Sequence, residues 1–458
     1  MWQIEDDTIA AIATPAGVGG VGIIRISGGQ TKNIAGSILK NFCLIPQRAI
    51  YTDFLSEQGE VIDSGIAIYF VAPNSFTGED VLELHGHGGP IILGLLLRRV
   101  LALGARIAEP GEFSRRAFLH GKMDLVQAES VVSLINAQTE EAARAAVKSL
   151  QGEFSKQIKI LLEDLIRIRM YLEAAIDFPE DEIDFLEQNT ITTQVIKLKK
   201  QICNILHRAE QGSLLSYALK VVILGDPNVG KSSLLNLLSE DDKAIVTELP
   251  GTTRDVLTNK INIDGLLLDF SDTAGIRETK DVVESIGIQK AIKEAETADL
   301  ILFMISAKDF VSDQKVFWSK KYAEKDFLVN KKIVVLINKI DLYNLASKVY
   351  VENNITFVLV SVKKQDGIDL LKQEIKTQIG FSGGTNLFTA RTRHVDALQQ
   401  ALKHIKICVS LWEKQKTGSV ELLAEELKMA QEFLSKITGT FTSEDLLDQI
   451  FSEFCIGK

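Results

Sequence analysis

Hydrophobic and polar positions follow different spacings in successive parts of this chain, and each spacing predicts a different kind of structure. Up to about residue 120, short apolar runs alternate with glycine turns. Here "GGVGIIRISGG" and "GIAIYFVAP" predict strands, and "GPIILGLLLRRVLALG" predicts a buried helix. This mixture predicts an α+β unit.

Helical spacing dominates from about residue 122 to residue 217. The stretches "DLVQAESVVSLINAQTEEAARAAVKSL" and "SKQIKILLEDLIRIRMYLEAAI" carry apolar residues three and four apart and contain few glycines. Within this part, "FPEDEIDF" at residues 178–185 interrupts the helical pattern. The run "KLKK" at residues 197–200 predicts a solvated helix face.

Strands alternate with helices from about residue 219 to residue 380. The strands are predicted at "KVVILG", "GLLLDFSD", "LILFMIS", "KIVVLINK" and "ITFVLVS", which is typical of a parallel α/β sheet. After "GFSGGT", helical spacing resumes. Helices on both sides of an inserted domain can pack together as one discontinuous helical domain.

We therefore predict a multidomain α/β and α protein. The boundaries are residues 1–120 for the N-terminal α+β domain, 121–216 for the first helical part, 217–380 for the sheet domain and 381–458 for the second helical part. No internal repeat and no low-complexity tract is visible.

Charge and cysteine content narrow the class of protein. The net charge of −10 argues against broad, charge-driven nucleic-acid binding, although a local basic patch would still allow contact with RNA. No apolar run approaches a membrane span, and acids stand at the N-terminus where a signal peptide needs bases. The cysteines are scattered and show no metal-type pairing: Cys43, Cys203, Cys408 and Cys455. We therefore predict a cytoplasmic protein without structural disulfides.

The clearest chemical motif is "GDPNVGKS" at residues 225–232, which fits the pattern G-x-x-x-x-G-K-[ST] between a predicted strand and helix. Glycines let backbone N–H groups close around phosphate oxygens. Lys231 would reach the β- and γ-phosphates, and the Ser232 hydroxyl would bind Mg²⁺. We predict nucleotide contacts from Asn228, Val229, Gly230, Lys231, Ser232 and Ser233.

Two further motifs favour a guanine nucleotide over a chance match. "DTAG" places Asp272 near the metal and the Gly275 N–H near a γ-phosphate. In "NKID", formed by Asn338, Lys339 and Asp341, the carboxylate can accept both N1–H and N2–H₂ of guanine, a donor pair that adenine lacks.

"SVK" follows the last predicted strand, where GTPases usually carry Ser-Ala-Lys around the base. We predict a base contact at Ser361, and Val362 is a mild departure from the usual pattern.

The catalytic apparatus has a gap. Ras-like GTPases place a water-orienting glutamine after "DTAG", where this chain has Ile276, which cannot hydrogen-bond water. Arg254 and Arg277 are candidates for an arginine finger, with a surface arginine as the simpler interpretation of each. Most acids in a loop of this kind are simply solvated. One of the three acids that follow could nevertheless act through a bridging water: Glu278, Asp281 and Glu284.

A family resemblance narrows these possibilities. "ELPGTTRD" resembles the switch of translation-factor-like GTPases that lack the glutamine, several of which assemble ribosomes. Together with it, "TPAGVGGVGIIRISG", "NSFTGEDVLELHGHGGP", "PGEFSRRAFLHGKMDLVQAE", "AAIDFPEDEIDF" and "FCIGK" resemble the MnmE (TrmE) family of tRNA-modification GTPases, from about Asp7 to Lys458. The resemblance implies a Ras-like P-loop GTPase domain inserted into a helical domain, after a folate-binding N-terminal domain that forms a homodimer.

The resemblance also implies a reaction. MnmE proteins work with a flavoprotein, MnmG, to install an aminomethyl or carboxymethylaminomethyl group at C5 of the wobble uridine of certain tRNAs. A tetrahydrofolate such as 5-formyltetrahydrofolate is the one-carbon donor, while FAD and NADH belong to the partner. The expected partners are therefore MnmG, tRNA and a second copy of the chain, with no membrane.

The family's folate pocket maps onto Arg25, Glu83, Lys122 and Lys458. Their charges suit the acidic tail and the hydrogen-bonding pterin of a folate. Without the family, Arg25 would be interpreted as an exposed edge residue and Glu83 as a solvent-facing strand residue. His85 and His87 stand close together, but the absence of a third ligand argues against a metal there.

The resemblance also supplies the missing catalytic parts. Glu284 matches the family's water-positioning acid, which would fill the gap left by Ile276 once two GTPase domains pair. Thr253 matches the Mg²⁺ ligand. The family's K⁺ site, which forms in the paired state, maps onto Asn228, Thr247, Leu249 and Thr252.

The tail "FCIGK" leaves two interpretations open for Cys455. One interpretation gives it a role in the reaction, as a nucleophile on uridine C6 or as a thiol in one-carbon transfer. The other makes it a small apolar plug beside Phe454 and Ile456. Two other classes of function stay open as well. One is a ribosome- or RNA-assembly GTPase without modification chemistry, and the other is a folate-dependent one-carbon transferase that acts on something other than tRNA.

Overall fold

The computed structural model describes residues 7–41, 45–177, 186–241, 259–271, 293–312, 331–384, 386–413, 420–439, 447, 450–452, 454 and 457.

The N-terminal part contains a six-stranded sheet with the strand order β3-β4-β5-β2-β1-β6. All neighbouring strands are antiparallel except β1 and β6. The strands are β1 (Ile9–Ile12), β2 (Gly19–Ser27), β3 (Ala49–Leu55), β4 (Val61–Phe70), β5 (Val81–Gly88) and β6 (Arg106–Ile107).

Two helices, α1 (Thr31–Ile38) and α2 (Pro90–Ala102), cover one face of this sheet. Side chains alternate between the faces of a strand, so Ile24 and Ile26 enter the core under the helices. Arg25, between them, projects from the opposite face. Because β2 lies inside the sheet, the interpretation of Arg25 as an edge-strand residue is wrong.

The described residues between 112 and 214 then form five helices in succession. They are α3 (Glu112–Leu119), α4 (Leu125–Ile135), α5 (Glu140–Leu150), α6 (Glu153–Asp177) and α7 (Leu186–Leu214). Helix α4 begins with a capping box: Asp124 accepts from the Gln127 N–H, and the Gln127 side chain accepts from the Asp124 N–H. In α7, Lys197 and Lys200 are exposed, as the "KLKK" pattern predicts, while Leu198 is buried.

The sheet domain follows, with seven strands in the order β12-β13-β11-β10-β7-β9-β8. The strands are β7 (Leu219–Gly225), β8 (Asn259–Ile263), β9 (Leu266–Ser271), β10 (Leu300–Ser306), β11 (Ile333–Asn338), β12 (Lys348–Glu352) and β13 (Ile355–Leu359). Its helices are α8 (Lys231–Asp241), α9 (Ala307–Ser312) and α10 (Ile368–Ile379), with a 3₁₀ turn at Ile340–Leu342.

The five inner strands are parallel, as predicted, but both edge strands are antiparallel additions that the pattern did not indicate. The sequences of β8 and β12, "NKINI" and "KVYVE", alternate polar and apolar residues because an edge strand exposes much of its surface. They therefore lack the continuous apolar runs by which the inner strands were recognised.

The last two long helices, α11 (Thr392–Glu413) and α12 (Val420–Thr438), return to the helical part of the chain. Leu398 and Leu427 from these helices share one core with Leu161, Leu165 and Ile202, which precede the sheet domain. The predicted fold class, a helical domain interrupted by an inserted α/β domain, is thus confirmed. None of the helices in the described part of the chain is long and apolar enough to cross a membrane.

A buried ionic cluster joins the two helical halves. Glu129 of α4 accepts from Arg393 Nε and Nη2 at 2.8 Å each, and His394 Nε2 lies 2.9 Å from its Oε2. Burial alone would raise the pKa of Glu129, but His394 and Arg393 outweigh it, and the pKa falls well below its usual range. Burial, followed by the charge of Arg393, lowers the pKa of His394.

Candidate functional site

Three loops gather at one edge of the seven-stranded sheet. Residues 225–231 follow β7, residues 338–341 follow β11 and residues 361–363 follow β13. Because β7, β11 and β13 run in the same direction, their carboxyl ends meet at this edge, which is where open α/β sheets bind ligands.

The first of these loops depends on glycine for its shape. Gly225 and Gly230 have φ angles of +147° and +108°, a region that other residues rarely adopt. A Cβ on Gly225 would lie 2.1 Å from the carbonyl oxygen of Met304, and one on Gly230 would lie 2.5 Å from Asn338 Nδ2. The loop is therefore packed so closely against its neighbours that neither position admits a side chain.

Helix α8 starts at the end of this loop and directs its free N–H groups toward it, as a phosphate-binding helix does. Lys231 Nζ donates to the carbonyl oxygens of Gly225 and Asp226 at 2.8 and 3.0 Å, which holds the ammonium group over the loop. Burial lowers the pKa of Lys231, and Asp226 partly offsets this effect. Ser232 and Ser233 are exposed in the first turn of the helix.

Asn338 ties the three loops together. Its Nδ2 donates to the Val229 carbonyl oxygen at 2.8 Å, and its Oδ1 accepts from the Val362 N–H at 3.1 Å. Lys339 adds a second tie, because its Nζ donates to the Asn228 carbonyl oxygen at 2.7 Å. The segment predicted to read the base is thus bonded directly to the segment predicted to hold the phosphates.

Asp341 is oriented by Ser361, whose hydroxyl donates to Oδ1 at 2.7 Å. This hydrogen bond, with smaller contributions from Lys364 and Lys363, lowers the pKa of Asp341 below its usual range. The carboxylate is therefore ionised at neutral pH and is an acceptor, as guanine recognition requires. Val362 fits the site despite its departure from the usual pattern, since its backbone bonds Asn338 and its side chain enters the core.

Many of the predicted catalytic and metal-binding residues of the GTPase domain lie outside the described residues, and their roles stay predictions. They are Thr247, Leu249, Thr252, Thr253, Arg254, Asp272, Gly275, Ile276, Arg277, Glu278, Asp281 and Glu284. In the tail, Cys455 and Lys458 also lie outside the described residues.

A second site lies on the open face of the N-terminal sheet. Arg25 and Glu83 are cross-strand partners on β2 and β5, and Arg25 Nε donates to Glu83 Oε1 at 2.9 Å. His85 Nε2 lies 3.1 Å from the other carboxylate oxygen of Glu83. The solvent-facing interpretation of Glu83 is therefore wrong, because the side chain is only 15% exposed and is held from two sides.

The C-terminal segment of the chain reaches this site. Arg25 Nη1 donates to the carbonyl oxygen of Gly457 at 3.4 Å. Gly457 has a φ of +96°, and a Cβ there would lie 2.5 Å from the Ile12 carbonyl oxygen. Phe451 and Phe454 anchor the segment in a small apolar cluster with α4. The structure therefore brings the end of the chain to the arginine that the resemblance places in the folate pocket.

Lys122, the remaining predicted folate contact in the described part, lies beside the loop of residues 71–80. Its Nζ donates to the Pro73 carbonyl oxygen at 2.8 Å. Glu79 fixes this loop by accepting from the Ser27 hydroxyl at 2.6 Å and from Arg116 Nη1 at 3.1 Å. The loop beside Lys122 is thus tied to β2 through Ser27 and to α3 through Arg116.

Sequence reasoning missed the aromatic residues around Arg25. The guanidinium carbon lies 5.4 Å from the ring centre of Phe76 and 5.8 Å from that of Phe113, within the range of cation–π contacts. Phe76 and Phe113 belong to "NSFTGED" and "PGEFSRR", two stretches that carry the family resemblance, so the signal was present in the motifs.

The histidines of "HGHGG" serve as hydrogen-bond partners of carboxylates. His87 Nδ1 lies 2.7 Å from Asp63 Oδ1, and His85 bonds Glu83. In the part of the chain that the structure describes, no three His, Cys, Asp or Glu side chains converge as a metal site would need.

The chain is similar to known proteins over its full length. A family model described as "MnmE helical domain" matches residues 125–455, and one described as "GTP-binding protein TrmE N-terminus" matches residues 8–122. The "tRNA modification GTPase MnmE" of Coxiella burnetii is 51% identical and aligns over 100% of both chains. The protein of the same name from Hydrogenovibrio crunogenus is 49% identical over 99% of each. Among solved structures, Aquifex aeolicus Era is 29% identical over 40% of this chain and 66% of its own, with a TM-score of 0.25. On the full-length match to its curated relatives, the chain belongs to the MnmE family.

Proposed function

We propose that this chain is a GTP-hydrolysing enzyme of tRNA modification. With an MnmG-type flavoprotein, it adds an aminomethyl or carboxymethylaminomethyl group to C5 of the wobble uridine of certain tRNAs. A tetrahydrofolate such as 5-formyltetrahydrofolate is the one-carbon donor. The observation that carries the proposal is the meeting of Arg25, Glu83 and the Gly457 segment at a site apart from the GTP loops.

GTP binding is supported by the loops at the edge of the seven-stranded sheet. The backbone of residues 225–231 and the Lys231 ammonium surround the phosphates, and the Asp341 carboxylate accepts from the guanine edge. In hydrolysis, water attacks the γ-phosphoryl group and GDP leaves. Glu284 positions this water in the proposal, since Ile276 has no polar atom for the task.

The Ser232 hydroxyl and the Asn228 side-chain carbonyl are oxygen donors of the kind that Mg²⁺ and K⁺ prefer. Ser232 is exposed at the start of α8 and would hold Mg²⁺ together with Thr253. Asn228 is exposed with a φ of +63°, and we assign it to K⁺ with Thr247, Leu249 and Thr252. Cations held by these residues would offset negative charge on the phosphates, and K⁺ would favour pairing of two GTPase domains.

A folate fits the chemistry of the N-terminal site. The Arg25 guanidinium is 22% exposed and keeps its position through Glu83, so it offers a fixed positive charge to an acidic ligand. Lys122 adds a second cation, and Lys458 follows Gly457, whose carbonyl oxygen bonds Arg25. When bound, the folate supplies a one-carbon unit, and these residues bind and orient it.

Pairing of two copies through the N-terminal domain is supported by apolar side chains at its surface. Val18 and Ile91 are 91% and 74% exposed, and Tyr51 is 73% exposed. These side chains are available for apolar contact with a second copy of the chain. The homodimer would then bind the flavoprotein and tRNA.

Cys455 keeps both of its interpretations. Its neighbour Phe454 is buried in the cluster with α4, which favours a plug, whereas Gly457 lies at Arg25, which favours a role in the reaction. Replacing Cys455 by serine separates the two: a nucleophile would be lost together with modification, and a plug would leave modification intact.

The test is nucleoside mass analysis of tRNA from cells with and without this protein. The proposal predicts loss of a C5-substituted wobble uridine and accumulation of the unsubstituted or 2-thiolated precursor. An unchanged profile would overturn the proposal. Ribosomal particle profiles on sucrose gradients would then test the alternative of an assembly GTPase.

A further inference from the structure

The hairpin formed by β8 and β9 occupies a special position in the GTPase domain. Strand β8 starts at Asn259, shortly after the switch motif "ELPGTTRD", and β9 ends at Ser271, directly before "DTAG". A displacement of either motif on binding the γ-phosphate therefore acts on one end of this hairpin.

The turn of the hairpin is docked on the helical part of the protein. Thr139, at the N-terminus of α5, donates its hydroxyl to the carbonyl oxygen of Gly265 at 3.1 Å, and this contact is buried. Lys260 Nζ donates to Gln138 Oε1 at 3.2 Å beside it. The contact joins the GTPase domain to helices that lie outside it in the chain.

The shape of the turn makes this contact close. Asp264 and Gly265 have φ angles of +50° and +93°, which gives a two-residue hairpin turn with both residues in the left-handed region. A Cβ on Gly265 would lie 2.5 Å from Glu141 Cγ, so glycine lets the turn reach the helix. Ala142 and Ala145 of α5 continue the contact and share a core with Ile261 and Leu268 of the hairpin.

Helix α5 also contacts the segment that leaves the GTPase domain. The Thr389 N–H donates to the Ala145 carbonyl oxygen at 3.3 Å, and the Ser149 hydroxyl donates to the Thr389 carbonyl oxygen at 3.0 Å. A cleft of about 440 Å³ lies alongside, with Thr139, Leu267 and Thr389 among its lining residues. The cleft leaves space on one side of the docked turn.

From α5, packed elements continue to the second site. Helix α4 packs beside α5, and its Leu125 and Ala128 share a cluster with Phe451 and Phe454 of the C-terminal segment. Gly457 of that segment accepts from Arg25. The steps from the hairpin to Phe454 are thus contacts between packed elements, and from Phe454 the chain itself leads to Gly457.

We propose that the Thr139–Gly265 contact is the joint between the GTPase domain and α5. A change of the nucleotide bound to the GTPase domain shifts the turn at this joint, and the shift is transmitted through α5 and α4 to the C-terminal segment at Arg25. Thr139 and Gly265 are positioning residues, because neither is placed at the phosphates or at the folate site. The inference rests on the proposed function, since it assumes both GTP turnover and chemistry at Arg25.

The side chain of Thr139 has a second role that the test must separate from the joint. Its Oγ1 also caps α5 by accepting from the Ala142 N–H at 3.1 Å. Thr139→Asp keeps a capping acceptor but has no proton for the Gly265 carbonyl oxygen. Thr139→Ser keeps both functions and is the matched control.

The experiment is hydrogen exchange of the full chain with GDP and with a non-hydrolysable GTP analogue. In the wild type and in Thr139→Ser, we expect the two nucleotides to change exchange in peptides from α5 and from residues 447–457. In Thr139→Asp, the change at the phosphate loop persists, while the change in α5 and the C-terminal peptide falls by about tenfold. GTP hydrolysis stays near the wild-type rate, while tRNA modification declines.

Two results would overturn the joint: no nucleotide-dependent exchange in wild-type α5, or undiminished exchange differences in Thr139→Asp. If Thr139→Asp does not fold, Gly265→Asn tests the other side of the contact, because its side chain meets Glu141. A failure of the proposed function is distinguishable, since it would appear as a wild-type protein that does not hydrolyse GTP or does not modify tRNA.

Discussion

The two candidate sites are assembled in different ways. The nucleotide site consists of short loops that each follow a parallel strand, and its chemical groups are close neighbours within each loop. The Arg25 site joins groups that are 58 and 432 positions apart in the chain. It exists only because β2 pairs with β5 and because the C-terminal segment returns to the N-terminal sheet.

This difference explains how each site was recognised. A phosphate loop needs glycine, lysine and serine at fixed spacing, so its chemistry is legible in contiguous residues. An arginine on a strand has no such signature, and only resemblance to a family singled out Arg25. If the two sites perform separate tasks, substitutions should affect them separately, and the following predictions test that separation from the largest expected effect to the smallest.

The largest effect is expected at Asp341. Asp341→Asn replaces an acceptor of two guanine N–H groups by an amide, which suits xanthine better. The preference for GTP over XTP should fall by about 10⁴-fold, the scale on which buried polar sites reject a mismatched partner. Competition between the two nucleotides in a hydrolysis assay measures this ratio, and an unchanged preference for GTP would refute the assignment of Asp341. Folate binding should not change.

The next effect is expected at Lys231. Lys231→Met removes the ammonium group over the phosphate loop, and the rate of GTP hydrolysis should fall by about 10²–10³-fold, as when a preorganised charge donor is removed. Lys332→Met is the matched control, because Lys332 is exposed just before β11, at the opposite edge of the sheet. Near-normal turnover in Lys231→Met would contradict the phosphate role.

A smaller effect is expected at Arg25. Arg25→Gln removes a charge-assisted donor, so affinity for 5-formyltetrahydrofolate should fall by about 10–100-fold. Arg48→Gln, at an exposed arginine of the same domain, should leave affinity unchanged. Isothermal titration measures both, and GTP hydrolysis should stay at the wild-type rate in each variant. A parallel loss of hydrolysis in Arg25→Gln would break the separation of the sites.

The smallest effect is expected at the buried ionic cluster of Glu129 and His394, which joins the two helical halves of the chain. The pKa of His394 is lowered from 6.5 and that of Glu129 from 4.5, so on acidification the unfolded chain takes up protons before the folded one. The contribution of His394 to the free energy of unfolding is therefore complete above pH 6.5 and declines as the pH falls below 6.5, whereas that of Glu129 declines only below pH 4.5. Each declines by at most about 1.4 kcal/mol per pH unit.

Denaturant titrations between pH 7.5 and pH 5 measure this slope. His394→Gln should flatten the slope between pH 6.5 and pH 5, whereas His207→Gln, at an exposed histidine of α7, should preserve it. An equal slope in all three proteins would show that protonation of His394 is not linked to folding.

Sequence patterns predicted the architecture well where residues are buried on both faces. The inner strands of the GTPase domain are continuous apolar runs, and the long helices have clear apolar stripes. Edge strands β8 and β12 were missed because their polar faces meet solvent. The buried charge of Glu129 was also missed, since its partners Arg393 and His394 are brought to it only by the packing of α11 on α4.

The same holds for the two sites: contiguous motifs predict residues, whereas contacts that form only on folding leave no sequence pattern. The roles of Lys231 and Asp341 were predicted from motif chemistry, whereas the tie made by Asn338 to Val229 and Val362 depends on the strand order. The contact between Thr139 and Gly265 carries no local signal, because each residue also serves an ordinary purpose, as a helix cap and as a turn glycine. Only the folded arrangement shows that they meet.

The most direct test of the account is the tRNA nucleoside profile of cells in which the protein is replaced by Arg25→Gln or by Lys231→Met, combined with GTP hydrolysis by each purified variant. The account predicts that both variants lose the C5-substituted wobble uridine, while only Lys231→Met loses hydrolysis. Full modification in cells that carry Arg25→Gln would contradict it, because the chemistry would then not depend on the site at Arg25.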